Sequence, residues 1–335
     1  MALIGSDHAP DPDSQIVGGI DLAGLGEAPR RIVTDLLAVG RPRPVPDPDR
    51  PARLRDWIEG RLAPLLEDRP ADARRVVLGK TQLDALACDG RYLDLRATPF
   101  EWSRPTVRGQ LVHRAIALDH HVSRRTGAKE LMAHAWEEFR HSGDGQVDYA
   151  DGLTDLEVAA VQAEATTVVE EYRTLFPVLP DSWRVIFEPT LTARFGAGAV
   201  AVRGKPDLVL GRVVPHERRL LLVDLKTGNR SRSDRQDMRW YALLATLKYR
   251  QAPFKVATFY VDEGTWDEEA VTDDVLEAAA RGLVDRVAAA IRLEDDPTPI
   301  TLSAGPMCRW CGRADSCEER ARADAELAAR ATSTP

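Results

Sequence analysis

Asp207, Asp224 and Lys226 are the residues of this 335-residue chain whose types and spacing could do chemistry. Asp207 lies in one apolar run; Asp224 and Lys226 close the next, with one residue between them. A polar turn, Val214 to Arg219, joins the runs. Two apolar segments joined by a short charged loop predict a β-hairpin. Alternation along a strand sends Asp224 and Lys226 to one face. The hairpin can set Asp207 beside them, so that two carboxylates and an ammonium converge at one end of a sheet. Such a set can hold a divalent cation, with the lysine positioning a water and offsetting developing negative charge. A solvated hairpin end is the plainer reading of these charges. Leu220-Leu221-Leu222-Val223 argues against it, because Asp224 follows this buried-type run directly. A carboxylate so near a core is costly unless it is paired or metal-bound. Gly204 and Gly228 bracket the segment, where backbone must turn or be closely approached.

The cysteines form a second constellation. Cys308, Cys311 and Cys317 follow a Cys-x2-Cys-x5-Cys spacing, and Cys88 lies far upstream after an apolar helical run. Three close thiolates and one distant one suit an iron–sulfur cluster or a structural zinc, and spacing alone does not choose between them. No signal-peptide pattern opens the chain, so the expected compartment is the reducing cytoplasm and disulfides are not expected.

These residues must be positioned by elements legible as periodicity. Helices are expected over 53–67, 81–96, 106–126, 128–142, 153–176, 234–250 and 272–292, with a charged, Ala-rich helix ending the chain. Strands are expected over 183–194, 199–211, 219–226 and 254–261. The helix between the last two makes a strand–helix–strand crossover. Residues 1–50 are rich in Pro, Asp, Gly and Arg, and are expected to be a flexible, loosely attached segment ahead of one domain over 51–335. A hydrophobic content of 44% supports a sizeable core, and no run reaches the length of a membrane span. The net charge of −8 speaks against broad, non-specific nucleic-acid binding but leaves room for a local basic groove. Arg230, Arg232, Arg235 and Arg239 after Lys226, with Arg124 and Arg125 upstream, are expected phosphate contacts.

Gly204-Lys-Pro-Asp207, then Val-Asp224-Leu-Lys226-Thr-Gly228, then Gln236 and Tyr241-Ala-Leu-Leu, resemble the RecB-type branch of the PD-(D/E)XK nucleases. That branch includes the AddB nuclease domain and CRISPR-adaptation nucleases. The resemblance covers roughly residues 80–320. It implies an α/β fold: a restriction-endonuclease-like mixed central sheet flanked by helices, a helical N-terminal part, and a C-terminal iron–sulfur clamp. It implies a [4Fe-4S] cluster on Cys88, Cys308, Cys311 and Cys317, with Zn2+ as the alternative. His113, in a Gly-x-x-x-His setting from Gly109, is the implied histidine ligand. One or two Mg2+ or Mn2+ ions are then expected on His113, Asp207, Asp224 and the backbone carbonyl of Leu225. Lys226 orients the attacking water, Gln236 and Tyr241 complete the catalytic set, and Glu188 supports the site. The family's glutamine and tyrosine are separated by three residues, whereas Gln236 and Tyr241 are separated by four, which puts Asp237 and Tyr241 on nearly one helix face. The implied activity is hydrolysis of DNA phosphodiesters, exonucleolytic or acting on single strands, in repair, recombination, CRISPR adaptation or phage and defence DNA processing. DNA is the expected partner, with a separate helicase or nucleoprotein chain and no membrane. The alternative is a catalytically weak DNA-binding scaffold with a structural metal site.

Overall fold

The computed structural model describes residues 16–332, except 18, 68, 71, 123, 229 and 232. The chain starts with a small ribbon, β1 (Ile16–Val17) and β2 (Ile20–Asp21), then α1 (Glu27–Arg31), which widens into a π turn at Ile32–Leu36. The long helix α2 (Arg50–Glu67) leads to β3 (Val76–Leu78), then α3 (Lys80–Ala85) and α4 (Asp89–Ala97). Four helices follow: α5 (Arg104–His121), α6 (Ala128–Phe139), α7 (Asp144–Asp151) and α8 (Asp155–Leu175). The last of these is closed by a capping box between Thr154 and Glu157. Strands β4 (Ile186–Phe187), β5 (Leu191–Phe195), β6 (Val200–Gly204), β7 (Leu208–Leu210) and β8 (Leu221–Lys226) precede α9 (Asp234–Tyr249). Then come β9 (Lys255–Tyr260), β10 (Thr265–Ala270), α10 (Asp273–Asp295), the cysteine loop and α11 (Glu318–Thr332).

The central sheet has five strands in the order β10-β9-β8-β7-β4. Only β8 and β9 are parallel, joined by α9 as the crossover; the other pairs are antiparallel. A smaller sheet, β3-β6-β5, lies apart from it. Alternation along the strands builds two cores. Val209, Leu222 and Val256 face α2, α9 and α10, while Leu208, Leu221, Val223, Leu225 and Phe259 face α5, α6 and α8. Asp224 and Lys226 follow Leu222 at two-residue steps, so they share its side of the sheet, toward α9. Among the described residues no helix is long and apolar enough to cross a membrane.

The expected α/β fold with a mixed central sheet is what forms, but several elements differ from their periodicity. The expected strand over 199–211 breaks into β6 and β7, which belong to different sheets, and 183–194 breaks into β4 and β5. Pro206 and Pro189 sit at the breaks, where a missing N–H cannot continue a ladder. The expected helix over 81–96 breaks at Cys88, whose extended backbone caps α4. Strand β10 and helix α7 escape expectation because they are short and largely polar. The loose segment expected over 1–50 is a correction for its second half. Ile32, Val33, Leu36 and Leu37 are buried in the core beneath α5 and α8. Lys255 Nζ donates to the Asp35 carbonyl at 2.9 Å, and the Arg218 N–H donates to the Pro44 carbonyl at 2.8 Å. Surrounding Pro and Asp residues mask this short apolar stripe in composition. The first fifteen residues of that segment lie outside the described ones.

Candidate active site

The β7–β8 pairing does what the hairpin pattern predicts. Leu208 lies opposite Val223, so Asp207, one residue before β7, arrives beside the end of β8. The backbone N–H of Leu225 donates to Asp207 Oδ2 at 2.5 Å, locking this carboxylate to the strand that carries Asp224 and Lys226. Asp207 Oδ1 contacts His113 Nδ1 at 2.7 Å, across from α5. Among the described residues His113 is the histidine that contacts Asp207, whereas His120 and His121 pack around Phe187.

Glu188 completes a tighter group. One ligand atom from each of His113, Glu188 and Asp207 lies within 4.8 Å of the others. Glu188 is brought there by a left-handed backbone (φ 46°) just after β4, and its N–H donates to the Asp207 carbonyl at 2.8 Å. Lys205 Nζ pairs with Glu188 at 2.5 Å. Asp224, expected as a ligand, stands outside this trio and pairs with Lys226 Nζ at 2.5 Å. Asp207 and Asp224 are only 8% and 4% exposed, so neither is the solvated hairpin end of the plainer reading. Arg108 donates to the Thr227 carbonyl at 2.7 Å, fastening α5 to the loop that leaves the site.

The electrostatics follow from this burial. Burial pushes the Asp207 carboxyl up, against the pull of His113. Burial also opposes the ionised form of Asp224, but Lys226 and Lys80 outweigh it and hold this carboxyl below its ordinary range. Lys226 is raised in return, Asp224 overcoming the cost of burial, which favours its charged ammonium. His113 is likewise raised by Asp207 against the effect of burial. Oxygen donors with one imidazole are the hard set that suits Mg2+ or Mn2+.

The helical residues separate in the way their spacing suggested. Helix α9 starts at Asp234, so Gln236 lies within it and lines the cysteine cavity instead of joining the carboxylates. Asp237 turns toward the site and pairs with Lys80 Nζ at 2.5 Å. Tyr241, one turn on, is buried against Gly204, where an added Cβ would fall 2.9 Å from its ring. Gly204 is therefore needed for close approach of α9 to β6. Lys80 and Asp84, one turn apart on α3, were not singled out by sequence; their four-residue spacing ahead of Cys88 is the signal that marks one helix face.

Burial pushes the Asp237 carboxyl up to about 7. A carboxyl is ordinarily near 4. Ionising Asp237 therefore costs folding free energy, a cost absent below the ordinary value and complete above about 7. Asp237→Asn is expected to melt higher than wild type at pH 8 and to lose most of that advantage at pH 5. Thermal melts at the two pH values check this; an equal deficit at both would contradict it.

The four cysteines, all free, line one cavity of about 470 Å3 together with Asp84, Arg91, Gln236, Arg286 and Arg313. They are not tightly clustered: among the described residues no three of their sulfurs lie within 4.8 Å of one another. Asp89 ties this region together, accepting from the Thr301 N–H at 2.7 Å and pairing with Arg292 at 2.5 Å. Asp94 accepts from the Gly312 N–H at 2.8 Å.

Most of the expected phosphate-contacting arginines are engaged elsewhere. Arg230 bonds Glu263, Thr265 and Asp267, Arg239 grips Glu269, and Arg124 donates to the carbonyls of Arg173 and Phe176. Acidic partners on β10 and the preceding turn, not foreseen as a strand, take up the first two. Arg232 lies outside the described residues.

No curated protein matches the chain. The solved structure described as "Crystal structure of SSO0001" is similar at 8% identity with a TM-score of 0.33, covering 80% of this chain and 97% of that one. The sequence profile of the PD-(D/E)XK nuclease superfamily matches residues 87–318, a span that holds Asp207, Asp224, Lys226 and all four cysteines. The chain belongs to the PD-(D/E)XK nuclease superfamily.

Proposed function

We propose that this protein is a metal-dependent DNA nuclease of the RecB-type branch, acting on DNA ends or single strands. The observation that carries the proposal is the convergence of His113, Glu188 and Asp207 beside the Asp224–Lys226 pair at one end of β8. The ligand set for Mg2+ or Mn2+ is His113, Glu188, Asp207 and Asp224, with the carbonyl of Leu225 beside them on β8. Glu188 is thus promoted from a supporting role by its placement. A divalent cation held there supplies an acidified water and neutralises charge gathering on the phosphate. The chain's own groups do the rest. Asp207 is oriented by the Leu225 amide and by His113, so its oxygens are fixed before substrate arrives. Lys226, its charged form favoured by Asp224, orients the nucleophilic water and balances the developing negative charge.

The four cysteines lining one cavity support the reading of a [4Fe-4S] cluster there, a structural clamp between α4 and the loop before α11. Thiolates on one tetrahedral zinc, at ~2.3 Å from the metal, would sit within about 4 Å of one another. A cubane would spread the same four ligands more widely, over its four corners, so metal analysis separates the two.

His113→Ala and Glu188→Gln are expected to raise the Mn2+ concentration for half-maximal cleavage by about tenfold or more, while saturating Mn2+ restores much of the rate. Titrating Mn2+ against cleavage of a labelled oligonucleotide tests this. An unchanged midpoint in both variants would remove them from the ligand set.

A further inference from the structure

Asp237 is 1% exposed, and its Oδ1 has no hydrogen-bond partner. Its other oxygen is held by Lys80 Nζ, whose side chain is 32% exposed at the start of α3. A buried carboxylate left half-satisfied is unusual in a protein interior. Its neighbourhood makes it more so. The charge of Lys80 acts on Asp224 as well as Asp237, and the charge of Asp237 acts on Lys226. Lys80 and Lys226 each hold a carboxylate partner, Asp237 and Asp224 respectively. A phosphodiester entering this site would be repelled by Asp237 unless a cation covered it. Lys80 is that cover, and an ammonium has three donors, of which Asp237 engages one.

We propose that Lys80 is a second phosphate-contacting cation of the site, held in place by Asp237 as a positioning residue, and that it grips the backbone of the nucleic-acid strand being cut. This rests on the nuclease reading above. It goes beyond that reading by placing a substrate contact on α3, outside the hairpin that supplies the metal ligands and Lys226. The competing account is a plain ion pair stapling α3 to α9.

The two accounts separate in the pair variant Lys80→Met with Asp237→Asn. Lys80→Met alone leaves a buried carboxylate unpaired, so it is expected to lower the melting temperature under either account. The pair variant removes both charges and is expected to melt close to wild type. Binding of a fluorescein-labelled single-stranded oligonucleotide is then followed by anisotropy, with Ca2+ in place of Mg2+ or Mn2+, across a salt series. Loss of one phosphate contact is expected to flatten the slope of log K against log salt by about 0.7 and to weaken low-salt binding roughly tenfold. Lys80→Arg, which keeps the charge, is expected to stay within about threefold of wild type. A pair variant with wild-type affinity and slope would make the pair a structural staple and overturn the proposal. If the wild type neither binds nor cleaves the oligonucleotide, the nuclease reading falls and this inference with it; wild-type cleavage with an unchanged slope in the pair variant overturns Lys80 alone.

Discussion

Asp224→Ala and Lys226→Ala are each expected to lower cleavage by about a thousandfold or more, with little loss of folded protein. The two side chains share one face of β8 and pair with each other, so each acts on the reacting centre and on its partner. Their consequences differ. Asp224→Ala removes a ligand and is expected to weaken Mn2+ binding. Lys226→Ala removes a charge that competes with the cation and is expected to leave Mn2+ affinity equal or higher. Calorimetric Mn2+ titration beside single-turnover kinetics distinguishes them. Near-normal rates in either variant, from protein free of contaminating nuclease, would sink the assignment.

The second large effect concerns the cysteines. Protein purified without oxygen is expected to be brown and to carry about four irons per chain. Cys88→Ala and Cys311→Ala are expected to abolish the colour and to lower the melting temperature alike. The cluster would close the long loop from Cys88 to Cys308, and releasing so long a loop costs on the order of 5 kcal/mol by chain-entropy arithmetic. The bonds of Asp89 and Asp94 to the same region remain in these variants and hold part of that loop, which reduces the loss. Stoichiometric zinc without iron or sulfide, in protein never exposed to air, would overturn the cluster. An unchanged metal content in Cys88→Ala would remove Cys88 as a ligand.

The hairpin was legible because both of its requirements are local. Period-two alternation fixes which face Asp224 and Lys226 take, and the neighbouring apolar run supplies the partner strand, although the connection from Leu210 to Leu221 is longer than the predicted turn. Glu188 was legible only as a supporting acid, because its approach depends on a left-handed turn next to Pro189, and a single residue's φ leaves no periodic trace. The choice between Gln236 and Asp237 depended on where α9 begins. Helix geometry put Asp237 with Tyr241, and the helix start at Asp234 keeps Gln236 on the cysteine side. Lys80 and Asp84 left only their four-residue spacing as a signal, because the meaning of Lys80 comes from α9, far away in sequence, which brings Asp237 to it. The buried stripe Ile32, Val33, Leu36 and Leu37 was hidden by its neighbours, since composition averaged over the whole segment dilutes so few apolar residues. Arg230 and Arg239 read as part of a phosphate-binding cluster until β10 supplied their acidic partners.

The proposed cleavage of DNA with a divalent cation rests on the cluster of acids, His113 and Lys226 at the end of β8. It is tested most directly by incubating purified wild-type protein and Asp207→Asn with end-labelled single- and double-stranded DNA, with Mn2+ or with EDTA. The account predicts cleavage by wild type in Mn2+, none in EDTA, and none by Asp207→Asn from the same purification. Absence of cleavage by wild type on both substrates, or equal cleavage by both proteins, would contradict it.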